Sequence, residues 1–165
     1  MKTRLLLLFV LLAGAGCQKD APDAGLPPAT REGKNTFGCL VDGQPFGPKP
    51  PLGINSRRRE PLEASTYRTH LLVSARGDGG VDIALHNALQ PGTYPIGEMR
   101  TARFGRYAFG SDEYSTNVVH TGTVTLTRID TVAKVVAGTF QFTAINHHTG
   151  QTVTLTGGRF DVRLQ

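Results

Sequence analysis

Apolar and polar residues alternate along most of the chain from residue 36 onward, which is the pattern of β-strands with one buried face. The pattern is clearest in the C-terminal third, where Val124 and Leu126 alternate with threonines and Phe140 and Phe142 do the same. Threonine suits the solvated face of a pleated sheet. Helical spacing is nearly absent, so the pattern predicts antiparallel strands.

Turn signals separate the alternating segments. Asp42-Gly43 is a two-residue hairpin signal, because both central residues of such a turn adopt positive φ. Gly-Asp-Gly-Gly at 77–80 and Gly-Ser-Asp at 110–112 predict two further turns. Pro95 predicts an edge strand, since proline cannot donate to a strand ladder. About nine short strands without crossover helices predict an all-β fold, a single antiparallel β-sandwich or flattened barrel.

The parity of the buried positions changes across Gly157-Gly158. Before the pair, Val153 and Leu155 are odd-numbered, whereas the apolar residues after it, Phe160, Val162 and Leu164, are even-numbered. One extra residue must be accommodated, so we predict a β-bulge or a corner at the glycine pair. In this register Asp161 lies on the solvated face.

Residues 1–16 have the form of a bacterial export signal. Lys2 and Arg4 precede a leucine-rich stretch, and small residues follow it. The apolar stretch is about 12 residues long, shorter than the ~20 that a membrane-spanning helix needs. We therefore predict a cleaved signal peptide over residues 1–16.

Cys17 follows the small residues directly, and the segment resembles the lipobox of bacterial lipoproteins. The resemblance implies alkylation of the Cys17 thiol by diacylglycerol, cleavage before Cys17 and acylation of the new amine. Gly14 stands where that family usually has leucine. Cys17 is the expected lipid attachment site, with an ordinary secreted protein and an uncleaved signal anchor as alternatives.

The residues after Cys17 resemble a second localisation signal. Gln18-Lys19-Asp20 is similar to the start of an export signal that places some lipoproteins on the cell exterior, although Ala21 and Pro22 stand where further acids are usual. We expect an outer-membrane protein that is anchored by lipid, with either the cell surface or the periplasmic face as its location.

Charge and cysteine content limit the kinds of partner and cross-link that the sequence predicts. Cleavage removes two of the 18 basic residues, so 16 basic and 13 acidic residues remain, a formal charge of +3. This mild balance does not predict a nucleic-acid partner. Cys39 is the only thiol besides Cys17, so no intramolecular disulfide is expected. Residues 17–35 are rich in Pro and Gly and predict a flexible tether, and residues 36–165 predict the β domain.

Four stretches carry a resemblance to a known family. They are Asn-Thr-Phe-Gly-Cys-Leu-Val-Asp-Gly-Gln-Pro-Phe at 35–46, Gln-Pro-Gly-Thr-Tyr at 90–94, Gly-Thr-Phe-x-Phe-x-Ala at 138–144 and Gly-Arg-Phe-Asp-Val at 158–162. The chain resembles uncharacterised small lipoproteins of Gram-negative bacteria that are classed as domains of unknown function. This resemblance implies a lipid-anchored β domain, and it implies no catalytic or binding residue.

Histidines offer the first candidate chemistry. His147-His148 lies between two predicted strands, and a polar hairpin tip is favoured over a metal site, because adjacent residues of an extended chain point to opposite sides. His70, His86 and His120 lack zinc-motif spacing and are predicted on the sheet surface. We expect no metal site.

Acidic and nucleophilic residues give equally weak signals. Asp112-Glu113 is interpreted as a solvated turn rather than an acid–base pair. The segment 77–82 lacks a full set of oxygen ligands for Ca²⁺. No Gly-x-Ser-x-Gly string occurs. The prediction is therefore no enzyme, with no catalytic residue and no cofactor, and a small hydrolase with a loop-built site is kept as an alternative.

Basic and aromatic residues are the last candidates for a binding site. Arg57-Arg58-Arg59 and the set Arg100, Arg103 and Arg106 are interpreted as solvated loop charge rather than as phosphate contacts. A stacking platform for sugars would depend on four tyrosines, Tyr67, Tyr94, Tyr107 and Tyr114. The expected function is that of a binding or structural accessory component of the cell envelope, with an envelope protein or a glycan as partner. A module that binds a small ligand, glycan or lipid is the alternative.

Overall fold

The computed structural model describes residues 25–50 and 60–165. The predicted signal peptide, Cys17 and the cluster Arg57-Arg58-Arg59 lie outside the described residues. The described residues form eleven strands and one short 3-10 turn: β1 (Thr36–Val41), β2 (Gln44–Phe46), β3 (Leu62–Tyr67), β4 (His70–Arg76), β5 (Gly80–His86), β6 (Gly92–Ile96), the 3-10 turn (Met99–Thr101), β7 (Phe104–Phe109), β8 (Asp112–Ser115), β9 (Gly122–Asp130), β10 (Val135–Ile145) and β11 (Thr152–Arg163).

All of these strands belong to one antiparallel sheet. Its order is β2-β1-β11-β10-β8-β7-β5-β4-β3, while β9 pairs with the first part of β10, and β6 pairs with β9. The sheet is not closed into a barrel. The all-β prediction is confirmed, with two strands more than the nine expected.

The sheet folds over so that one face is buried. Ala64 of β3 bridges Leu164 just beyond β11, and the Gln165 amide donates to the Ala64 carbonyl at 3.0 Å, which brings the far end of the strand order back to β11. A single apolar cluster collects side chains from strands across the whole order. The arrangement is that of a sandwich or flattened barrel.

The predicted bulge at the glycine pair is confirmed. Phe140 of β10 lies opposite Gly158, whereas Phe142 lies opposite Leu155, so β11 contains one extra residue there. Gly157 adopts φ +59°, which favours glycine. A Cβ at Gly158 would lie 2.6 Å from the Phe140 ring, so the ring packs flat on the glycine backbone.

Other local predictions also hold. Asp42 and Gly43 have φ of 47° and 81° and join β1 to β2, as the hairpin signal requires. Pro95 lies in β6, which pairs only with β9 and is therefore an edge strand of the described sheet.

The N-terminal part of the described chain differs from the predicted tether. A Cβ at Gly38 of β1 would lie 2.6 Å from Pro27, and the segment from Thr30 to Lys34 hydrogen-bonds to the Asp161 side chain of β11. Residues 25–34 therefore pack on the β domain, and the prediction of a tether to residue 35 is wrong for this part. Within the described ranges, no helix has the length and apolar character needed to cross a membrane.

Candidate functional site

An open groove runs over the outer face of β9, β10 and β11. Its volume is about 670 Å³. One wall is formed by Pro28 and Ala29 of the N-terminal segment. The rest of the lining comes from the sheet, namely Thr123, Thr125, Thr139, Phe140, Gln141, Gly157, Gly158 and Arg159. We call this feature the threonine groove.

A second hollow continues the threonine groove along the same strands. It has a volume of about 330 Å³ and shares Thr123 and Gln141 with the groove. Thr143 and Thr154 line it, and their hydroxyls lie 3.4 Å apart across β10 and β11. The threonine alternation read from the sequence therefore produces a continuous hydroxyl-rich surface, on which each side chain both donates and accepts hydrogen bonds.

The wall of the groove is held by Asp161. The Asp161 carboxylate accepts hydrogen bonds from the Thr30 hydroxyl at 2.6 Å and from the Glu32, Gly33 and Lys34 amides at 2.9, 2.6 and 3.2 Å. One side chain thus holds four of the five residues 30–34, which follow the wall directly, three of them through their backbone amides.

Gly33 is the residue that makes this approach feasible. It adopts φ +75°, and a Cβ there would lie 2.9 Å from the Val135 side chain. Asp161 is 1% exposed, which corrects the prediction that it lies on the solvated face. The strand alternation does place it on the outer face, and the N-terminal segment then covers it.

The charge state of Asp161 follows from these contacts. Burial raises the pKa of the carboxyl group, but the hydrogen bonds from Thr30 and the three amides favour the ionised form and bring the pKa below its ordinary value. Asp161 is therefore an ionised carboxylate whose charge is stabilised by three backbone amides and the Thr30 hydroxyl. It is occupied in holding the wall.

A second buried carboxylate lies in the other half of the sheet. Asp82 of β5 accepts from Ser74 at 2.7 Å, from Arg76 at 2.6 Å and from Arg106 at 2.8 and 3.1 Å. Burial opposes ionisation of Asp82, and the hydrogen bonds from Ser74, Arg106 and Arg76 outweigh it and lower its pKa. This network ties β4, β5 and β7 together.

The basic set of the sequence does not form a patch. Arg106 is neutralised by Asp82 and lies 3.5 Å from Glu113. Arg103 donates to the His86 carbonyl and lies over the Tyr94 ring, with its guanidinium carbon 5.5 Å from the ring centre. Arg100 is exposed and lies 4.0 Å from Glu98. The three side chains serve three different contacts.

The candidate acidic residues also have different partners and do not lie together. Asp78 pairs with Lys49, whereas Asp82 is held by arginines, so the two acids of segment 77–82 do not share a cation site. Glu113 pairs with Arg106. Within the described residues, no three His, Cys, Asp or Glu side chains come together as metal ligands do.

The histidines show one arrangement that the sequence interpretation did not include. His147 lies 3.3 Å from the Ser115 hydroxyl, and no carboxylate contacts it among the described residues. His120 contacts Asn117, and the His148 amide donates to Asn146 in a loop turn. His70 and His86, which were predicted as scattered surface residues, lie opposite each other with ring nitrogens 3.2 Å apart.

The tyrosines do not form one platform. Tyr107 and Tyr114 pack together, with ring centres 6.1 Å apart on β7 and β8. Tyr67 lies on β3 beneath Arg68, and Tyr94 donates to the Gln90 carbonyl on β6.

Fold and site define this chain as an all-β domain whose described groove lies on the solvated face of its sheet. Residues 63–162 match the family described as a domain of unknown function (DUF6252), and the chain belongs to that family. The matched range contains the floor of the threonine groove and leaves out its wall. No curated protein matches the chain, and no solved structure matches it.

Proposed function

We propose that this chain is a lipid-anchored protein of the outer membrane whose β domain acts by binding, with the threonine groove as its contact surface. The observation that carries the proposal is the groove itself. A wall fixed by Asp161 stands beside a floor of hydroxyl and amide groups, so the surface is formed before any ligand arrives. Such preorganisation lowers the entropy lost on binding.

The position of the N-terminal segment supports a role close to the membrane. Because residues 25–34 pack on the β domain, only the seven residues 18–24 separate Cys17 from it. Seven residues span at most about 25 Å when fully extended. Acyl chains on Cys17, each buried methylene contributing about 0.8 kcal/mol, would keep the domain within that distance of the bilayer.

The chemistry of the groove favours an extended polar partner, an envelope protein segment or a glycan. Thr123, Thr139 and Gln141 supply paired donors and acceptors, and Arg159 adds a cation at the wall, where it lies 3.4 Å from the Pro27 carbonyl. An extended chain lying along the groove can exchange hydrogen bonds with each strand in turn.

Photocrosslinking on intact cells tests the binding role. A photoreactive amino acid replaces Thr139 in the full chain, and a matched variant carries it at Val132, which is 96% exposed in the β9–β10 turn. We expect an adduct from position 139 that is absent from position 132. Protease or glycosidase digestion of the adduct identifies a protein or a glycan partner. Equal labelling at both positions, or no adduct at either, would contradict a binding role for the groove.

Anchoring is tested separately. Cells that express the chain are fed radiolabelled palmitate, and the labelled protein is compared with a Cys17→Ser variant. We expect label in the wild type only. Label that persists in the variant, or is absent from both, would refute attachment at Cys17.

A further inference from the structure

The pairing of β4 with β5 brings two histidines together on one face of the sheet. His70 is the first residue of β4 and His86 is the last of β5, and they are direct partners in the antiparallel register. Side chains at directly opposed positions point to the same face with Cβ atoms about 5 Å apart. The ring centres of His70 and His86 are 4.4 Å apart.

We infer that His70 and His86 form a surface site for a divalent transition-metal ion that prefers imidazole, with Cu²⁺ bound more tightly than Zn²⁺. The His86 Nδ1 and the His70 Nε2 lie 3.2 Å apart. An ion with two metal–nitrogen bonds of about 2.0–2.1 Å and a bond angle between square and tetrahedral requires its nitrogens to be about 2.9–3.4 Å apart. The two nitrogens already lie at that separation.

The surroundings supply a further oxygen and leave room for water. The Thr69 hydroxyl lies 3.3 Å from the same His86 Nδ1, so it can bind the ion or hold a water molecule that does. His70 is exposed and His86 is half-buried, which leaves the remaining coordination positions open to solvent. Imidazole nitrogen is a preferred ligand of Cu²⁺ and Zn²⁺, and affinities rise from Zn²⁺ to Cu²⁺.

The neighbouring cations are turned to other contacts. Arg103 donates to the His86 backbone carbonyl and lies over the Tyr94 ring. Arg68 lies over the ring of Tyr67, with its guanidinium carbon 5.3 Å from the ring centre. Neither guanidinium occupies the space between the two imidazoles.

Binding requires a change of tautomer in one ring. In the free protein, one imidazole donates its N–H to the other across the 3.2 Å contact. When the ion enters, that proton moves through water to the second nitrogen of its own ring, and each ring presents a lone pair to the metal. A neutral pair therefore releases no net proton, and its hydrogen bond is replaced by two metal–nitrogen bonds.

Titration of the tag-free full chain in detergent with Cu²⁺ alone, and then with Zn²⁺ alone, tests the site. Isothermal titration calorimetry compares the wild type with His70→Ala, His86→Ala and the matched control His148→Ala, which removes an exposed loop histidine. We expect one ion per chain, at least about tenfold weaker binding in either pair variant, and no change in the control. Equal affinity in the wild type and both pair variants, or no binding by the wild type, would overturn the inference.

Electron paramagnetic resonance of the wild type with one equivalent of Cu²⁺ tests the site without any variant, so the result does not depend on whether a variant folds. Hyperfine coupling to two imidazole nitrogens is expected. Coupling to one nitrogen or none would refute a site formed by both histidines.

Discussion

Replacement of Asp161 by alanine should release the N-terminal segment and lower the stability of the domain. The variant removes the acceptor of four hydrogen bonds, those from Thr30, Glu32, Gly33 and Lys34. Nothing in the alanine side chain can replace that acceptor. We expect the wall of the threonine groove to separate from the sheet.

The magnitude depends on which donors water can reach. The Gly33 amide is buried in its contact with Asp161, and a buried donor without a partner costs about 1–3 kcal/mol. The other three donors are partly exposed, so water replaces Asp161 and each loses less than about 1 kcal/mol. The expected decrease in the free energy of unfolding is about 3 kcal/mol, rather than four times the value of a single charged hydrogen bond.

Urea unfolding and amide hydrogen exchange measure the two effects. The Gly33 amide should lose its protection in Asp161→Ala, and Asp161→Asn should fall between wild type and alanine because its NH₂ group faces donors. The control is Asp78→Ala, which removes an exposed pair with Lys49 and should change stability by less than about 0.5 kcal/mol. If Asp161→Ala unfolds at the same urea concentration as the control and keeps Gly33 protected, the assigned role of Asp161 is wrong.

Three further predictions concern the core and the second carboxylate. Gly158→Val should cost about 2 kcal/mol, because its Cβ would lie 2.6 Å from the Phe140 ring; a melting midpoint equal to that of the wild type would contradict the packing. Burial raises the pKa of the Cys39 thiol to about 12. In the Cys17→Ser protein at pH 8, Cys39 should therefore react with a disulfide reagent about a thousandfold more slowly than it does after unfolding in urea. Equal rates in the folded and unfolded protein would disprove its burial. The pKa of Asp82 is lowered in the folded state, so its contribution to stability is complete above the unfolded pKa of about 3.9 and is lost as the pH falls through the folded value. The free energy of unfolding should therefore decrease less between pH 5 and pH 2 in Asp82→Asn than in the wild type. An equal decrease in the two proteins would argue against the ion pairs of Asp82.

Local signals predicted most of the strands because each depends on a few adjacent residues. Asp42-Gly43 sets a hairpin through backbone conformation alone, and Pro95 excludes a central strand through its missing donor. The parity change at Gly157-Gly158 located the bulge, because a one-residue shift turns every later side chain to the other face. The threonine floor of the groove followed from the same alternation.

Contacts between residues far apart in the sequence were not predicted from the sequence. β3 was missed because its only fully buried residue is the small Ala64, which gives almost no apolar signal. The wall of the groove was missed because its attachment is by backbone amides to Asp161, which lies more than 125 residues further along the chain. The pairing of His70 with His86 depends on the register of β4 and β5, which residue spacing alone does not reveal.

Mass spectrometry of the mature N-terminus tests the central claim most directly. The protein is purified from the outer-membrane fraction of cells that express the full chain, and its N-terminal peptide is measured intact. The account predicts a peptide that begins at Cys17 and carries diacylglycerol on the sulfur. A peptide that still contains residues 1–16, or one with an unmodified Cys17, would contradict it.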